Sequence, residues 1–495
     1  MSNKNLARLY WALVVTWLLI ISLQDPSYDG IWHLHVAWLI EKGELIPFED
    51  FFEHHTPLLW DVLGLYFRLG GSESFFLVFG NAVVLFCGLC VVIGFYHIGR
   101  HHAKGHCEVH GNNSAQYENI PPGMLGTMFF ILADGVAAHL FIPRPETLST
   151  AFCVGSFYYW ITTRNNASQS TLRLGLSGAL FSLAVLASPR FLVLAGLFLL
   201  PTDTRYPWID FNLRRMTVFV SSFSLTIVFY LFASPVTLDQ FRFIFSFSSL
   251  LQRIGEGNQS ASLFFVVGFV ALLPLTLLGI LLSRLELNSR IQILVCTSYV
   301  FLVLLVLYLA SGQYVYAQSA SPLFVLLGLL LVLVQNQLAT AGIGRDILFA
   351  TCIATWVLLF SIRLTIYTVV NSLDLPANLT IFDRLGDIST DLTAMPEGER
   401  VLLSPPEHLI FVQDASFYGL ILVDSPERIC VAARRYQSIT LPPCDYVADI
   451  ENNLPYYVTR QLDSLATGSR LARLKLLIKE KYVPYRGYYR RTYNQ

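Results

Sequence analysis

Trp11-Ala-Leu-Val-Val-Thr-Trp17-Leu-Leu-Ile-Ile-Ser-Leu23 is followed at once by Gln24-Asp25-Pro-Ser-Tyr-Asp29. The apolar run begins near residue 7 and approaches the ~20 residues that span hydrocarbon. The polar stretch after it carries no small-residue cleavage site, so the run reads as a retained span and not as a removed signal peptide. Further apolar runs follow at 74–96, 124–142, 146–162, 174–188, 190–201, 216–234, 263–283, 291–310, 321–335 and 347–370, which together predict about eleven transmembrane helices. Two of the divisions are marked by Pro143-Arg144-Pro145-Glu146 and Ser188-Pro189-Arg190; proline beside charge suits a tight turn at a membrane face.

Composition agrees with a polytopic α-helical membrane protein. The chain is 54% hydrophobic and 14% charged, where soluble domains carry about 25% charged residues, and its mean hydropathy is +0.54. A formal net charge of −1 gives no footing for nucleic acid as a partner. Of the eight cysteines, Cys87, Cys90, Cys153, Cys296 and Cys352 lie in apolar runs, where a thiol stays neutral and inert. Cys430 and Cys444 lie in the polar C-terminal region, where an oxidising compartment would permit pairing.

The short loops that alternate from the N-terminus inward collect Lys4, Arg8, Arg100, Lys104, Arg164, Arg173, Arg205, Arg214, Arg215, Arg284, Arg290 and Arg345. By the positive-inside rule these are cytoplasmic, and so is the N-terminus. An odd number of spans then places the tail outside. The expected division is a membrane body over 1–370, with a long first external loop at 24–71, and a small external α/β domain over 371–495. Val401-Leu402-Leu403 and Leu420-Ile421-Leu422-Val423 read as strands, and 460–480 as an amphipathic helix. The basic, tyrosine-rich end from Tyr482 to Arg491 reads as a solvated terminus.

Chemistry concentrates in the first loop. Asp29-Gly30-Ile31-Trp32-His33-Leu34-His35-Val36-Ala37-Trp38 and Pro47-Phe48-Glu49-Asp50-Phe51-Phe52-Glu53-His54-His55-Thr56-Pro57-Leu58 set acids and imidazoles among aromatics. Ile31–Ile40 has helical spacing, and Trp32 and Trp38 suit the headgroup belt, so a helix lying along the interface is expected. Elsewhere, Glu146 either pairs with its neighbour Arg144 or serves as a site acid. Asp134 and His139 lie toward the external end of the third span, where ionisable groups tend to be functional. His97, His101, His102, His106, Cys107 and His110 crowd the first cytoplasmic loop; their spacing fits no standard zinc pattern, and a solvated, weakly cationic loop is expected.

The order of first span, Asp29, an aromatic-rich helix ending at Gly43, a Pro-aromatic-acid-Asp-Phe-Phe turn and the step His55-Thr56-Pro57-Leu58 resembles the first external loop of GT-C glycosyltransferases. The branch it resembles contains protein O-mannosyltransferases, the aminoarabinose transferase of lipid A and the galacturonic acid transferases of lipopolysaccharide core. Arg144-Pro145-Glu146, Ser188-Pro189-Arg190, and Gln313-Tyr314 leading to Ser321-Pro322 extend the likeness along most of the body. The resemblance implies an inverting, polyprenyl-phosphate-sugar-dependent transferase that acts on a lipid, glycan or protein acceptor amid membrane lipids. It implies a bacterial inner membrane with a cytoplasmic N-terminus and a periplasmic tail.

The same resemblance implies Asp29 as catalytic base, with Asp50 and Glu146 as further site acids. His54, His55, Arg144, Arg190, Gln313 and Tyr314 would bind the donor phosphate or substrate. The chain has Gly30 where the family has a second acid, and His55 where the aminoarabinose branch has a lysine. No cofactor is demanded, although a divalent ion can neutralise a departing phosphate. A transporter or flippase of lipid-linked saccharides, or a non-enzymatic envelope assembly protein, is the rival reading. No internal repeat or pair of broken helices supports the transporter.

Overall fold

The computed structural model describes residues 3–23, 28–49, 55–110, 121–137, 141–163, 170–199, 212–234, 236–244, 298–300, 302–303, 321–340, 395, 401–402, 451–452, 454–459, 469–485 and 488–492. The chain divides into two compact units. One comprises Met1–Gln24, Asn81–Ser234 and Gly257–Ser372, and the other Asp25–Gly80, Pro235–Glu256 and Leu373–Gln495.

The helices are α1 (Asn3–Leu23), α2 (Tyr28–Glu41), α3 (Leu58–Arg68), α4 (Phe76–His110), α5 (Met124–Ala137), α6 (Pro145–Thr162), α7 (Ser170–Ala187), a 3-10 segment Pro189–Leu199, α8 (Leu213–Ala233), α9 (Ser321–Thr340) and α10 (Ser469–Lys481). Among the described residues, Glu73–His101 and Leu213–Ala233 are long and apolar enough to cross a membrane. Shorter apolar helices cover Ala7–Ser22, Thr171–Ala187, Pro189–Leu199 and Ser321–Leu333. Leu225, Phe229 and Phe232 of α8 point outward, a surface that water penalises and hydrocarbon does not. The runs expected at 263–283 and 347–370, most of 291–310, and the strand expected at 420–423 lie outside the described residues.

In the first unit the helices meet through small polar side chains, as interfaces between apolar helices do. Ser156 Oγ donates to the Ser177 carbonyl at 2.7 Å and Ser177 Oγ returns a bond to the Ser156 carbonyl at 2.9 Å, joining α6 to α7. Ser149 Oγ adds a bond to the Ala184 carbonyl at 2.8 Å. Between α5 and α9, Gln335 accepts from the Leu125 N–H and donates to the Pro121 carbonyl, both at 2.9 Å. Gly123, just before α5, has φ 73° and lies against the Phe95 carbonyl of α4; only a residue without Cβ fits there at no cost. At the far end of α6, Arg215 stacks over Trp160 at 4.2 Å and donates to the Trp160 carbonyl at 2.9 Å. That contact places a cation on the negative end of the α6 dipole.

Proline punctuation acts as its chemistry dictates. Arg144 is extended (φ −138°, ψ 156°), Pro145 follows in the first helical turn and Glu146 is the acid of that turn; a ring-fixed φ and an early carboxylate both favour helix initiation. Two expectations are corrected. The histidine-rich stretch after residue 96 is not a loop, because α4 continues through His110. The helix in the first loop is not a one-faced interfacial helix: Ile31, His33, Leu34, His35, Val36, Ala37, Trp38 and Leu39 of α2 are all buried. Two histidines are covered there along with the apolar residues.

In the second unit, α2 packs on α3, which buries Leu58, Leu59, Trp60, Leu63, Gly64 and Phe67 on one face. The tail contributes a four-stranded sheet in the order β1-β2-β4-β3, formed by β1 (Val401–Leu402), β2 (Tyr457–Thr459), β3 (Tyr482–Tyr485) and β4 (Tyr488–Arg491). β1 is parallel to β2, and the other pairs are antiparallel. The basic aromatic end is therefore a hairpin and not a solvated terminus. Arg490 lies 4.4 Å over the Tyr485 ring, and the Tyr482 hydroxyl donates to the Pro455 carbonyl at 2.8 Å. Buried Leu474 and Ile478 mark the core side of α10.

Candidate active site

In the first unit the two proline turns converge. Glu146 Oε1 lies 3.2 Å from Arg190 Nη1, and Glu146 Oε2 lies 3.5 Å from Arg144 Nε. The carboxylate is thus shared between the guanidinium next to it in sequence and one brought from the start of the 3-10 segment. Glu146 and Arg144 side chains are 7% and 9% exposed, while Arg190 retains 25%. Charge this well buried persists only when paired. Of the three, Arg190 is the most exposed.

A second buried acid of the first unit is Asp134, 1% exposed. Its Oδ2 accepts from Trp17 Nε1 at 2.9 Å and its Oδ1 from the Phe141 N–H at 3.2 Å. Thr147 Oγ1 donates to the Ile142 carbonyl at 2.7 Å and the Thr147 N–H to the Arg144 carbonyl at 3.2 Å, closing the turn that holds Arg144 and Glu146. The sequence singled out Asp134 as an intramembrane acid but gave no hint of Trp17 as its partner, since the two are 117 positions apart.

In the second unit, Asp29 falls in the first turn of α2; its side chain, Asp25, Asp50, His54, Gln313 and Tyr314 lie outside the described residues. His55 is described, and its ring meets that of His33 edge to face at 4.7 Å. The Trp60 indole N–H donates to His33 Nδ1 at 3.1 Å. His33 Nδ1 is an acceptor in this bond, which requires the tautomer protonated at Nε2. Sequence reasoning counted His33 among the loop histidines without a role; its bond to Trp60 of α3, 27 positions on, was not legible.

The rest of the loop is clasped firmly. Trp38 Nε1 donates to Glu73 Oε1 at 2.7 Å. Arg68 pairs with Glu41, whose carboxylate pushes the guanidinium above its usual range, chiefly through the hydrogen bond. Phe48, within the Pro47-Phe48-Glu49 turn, has φ 71° and a fully buried ring. An aromatic residue in the left-handed region stores about 1–3 kcal/mol of strain, so this turn is over-determined by its surroundings.

Among the described residues no group of three or more His, Cys, Asp or Glu side chains is placed to hold a metal ion.

The helical body has the fold of a solved structure with little sequence in common. The chain resembles the solved structure of ArnT from Cupriavidus metallidurans in the apo state, with a TM-score of 0.54, 12% sequence identity and coverage of 98% of this chain and 97% of that chain. At that identity the likeness is one of fold. No protein-family model matches the chain, and no curated protein does.

Proposed function

We propose that this chain is an inverting glycosyltransferase. It takes a sugar from a polyprenyl-phosphate-linked donor and passes it to a lipid, glycan or protein acceptor at the external face of a bacterial inner membrane. The observation that carries the reading is the sharing of Glu146 between Arg144 and Arg190 in a chain with the ArnT fold. Two guanidiniums in a low-dielectric surround are suited to the charge that grows on a departing phosphate. With 1–370 as the membrane body and 371–495 as an external domain, the first loop would sit at headgroup depth.

The acceptor hydroxyl attacks the anomeric carbon and a new C–O bond forms. The bond to the phosphate oxygen breaks, and its electron pair leaves with the polyprenyl phosphate. The acceptor proton passes to Asp29. One displacement with one base inverts the anomeric centre; a retaining route would need a second, nucleophilic carboxylate. Arg144, Arg190, His54 and His55 would receive the phosphate, Gln313 and Tyr314 the sugar or lipid, and Asp25 or Asp50 would stand in for the second acid that Gly30 replaces.

The reading is tested in proteoliposomes that hold the purified chain, radiolabelled polyprenyl-phosphate sugars and an extract of envelope lipids and glycans. Chain-dependent appearance of label in an acceptor, with inverted anomeric configuration, supports it. Movement of donor across the bilayer without transfer would replace it with the transporter reading.

A further inference from the structure

We propose that Asp134 is a positioning residue that fixes the turn bearing Arg144 and Glu146. A carboxylate 1% exposed in an apolar helix is costly unless it meets donors, and here each oxygen meets one. Trp17 Nε1 of α1 donates to Oδ2 at 2.9 Å, and the Phe141 backbone N–H donates to Oδ1 at 3.2 Å. The Phe141 ring then packs edge-on against Trp17, with centroids 5.0 Å apart, and against Phe130 at 5.4 Å. From Phe141 the chain enters the turn that Thr147 closes on the Ile142 and Arg144 carbonyls, and Glu146 leaves that turn toward Arg190. Trp17, Asp134 and Phe141 thus form a hold on the near end of the turn, while Arg190 engages its far end.

The hold explains why this position carries an acid. Two N–H groups converge on it and both need an acceptor. Asparagine has the same shape but offers one carbonyl oxygen, so its amide N–H would face either Trp17 or Phe141. The inference rests on the reading of Arg144 and Arg190 as phosphate ligands only for its functional consequence, not for the positioning itself.

The test uses the full chain in nanodiscs, with Trp17→Phe, Asp134→Asn and the double variant. Trp17→Phe removes one donor, and in the double variant the single asparagine oxygen is then enough for Phe141. Backbone hydrogen exchange of peptides covering 141–147 and binding of undecaprenyl phosphate are measured on each. Asp134→Asn is expected to speed exchange in 141–147 and weaken the probe by about tenfold each, the effect of a buried N–H left without an acceptor. The double variant is expected to return both readouts to within about threefold of Trp17→Phe. Unchanged exchange in Asp134→Asn overturns the proposal, as does faster exchange spread evenly over α5 and α6, or a double variant no better than Asp134→Asn. Should the exchange pattern appear while the wild type does not bind the probe, the positioning stands and the donor-phosphate reading fails.

Discussion

Glu146 and Arg190, 44 positions apart in the chain, meet at 3.2 Å. Each sits beside a proline, Pro145 and Pro189, that starts a helical segment with a fixed φ. The meeting turns two short, separately unremarkable motifs into one charged group, in which Arg144 also touches the carboxylate.

Removal of the shared carboxylate should therefore be felt twice. Glu146→Gln removes the charge that both arginines contact, and breaking a buried pair in this way costs about 3–5 kcal/mol. Thermal unfolding of the purified chain should show a clear fall in midpoint, whereas Glu146→Asp, which keeps the charge, should lose less. Equal losses in the two variants would mean that shape and not charge holds the turn.

Trp60→Phe keeps the ring but withdraws the indole N–H from His33 Nδ1. A buried acceptor that loses its donor costs about 1–3 kcal/mol, and the His33 ring beside His55 loses the bond to Trp60 that Nδ1 accepts. We expect lower stability and a raised donor KM with kcat changed less, measured in the transfer assay. A kcat loss at constant KM would place Trp60 in the chemical step instead.

Arg215 joins α8 to the end of α6 through its stack on Trp160 and its bond to the Trp160 carbonyl. Arg215→Ala should cost about 1–3 kcal/mol, read as a drop in thermal midpoint. Arg215→Lys should recover only part of this, since lysine lacks the planar fork that serves stack and hydrogen bond together. Full recovery by lysine would reduce the contact to a simple charge at the helix end.

The sequence made some of this legible and hid the rest for definable reasons. Apolar runs located α1, the start of α4, and α5 to α9 to within about five residues, because length and hydropathy are local properties. Pro145 and Pro189 marked helix starts for the same reason. The burial of α2 was missed: Trp32 and Trp38 look like interfacial anchors until His33 and His35 are seen to be as buried as their apolar neighbours. The C-terminal hairpin was missed because Tyr488-Tyr489-Arg490-Arg491 of β4 has no apolar alternation and looks like a solvated tail, and only pairing with β2 and β3 makes it a sheet. Glu146 was weighed between pairing with Arg144 and serving as a site acid; its second partner, Arg190, and the link from Trp17 to Asp134 are long-range and leave no mark in the local pattern.

The central claim is that this fold carries out base-assisted sugar transfer with Asp29 in the first turn of α2. It is tested most directly by the transfer rate of Asp29→Asn in proteoliposomes supplied with polyprenyl-phosphate sugars, with the folded state checked by thermal unfolding. Loss of the base should lower kcat by about 10² to 10⁴ with the thermal midpoint and donor binding retained. A variant that transfers sugar at the wild-type rate would contradict the account.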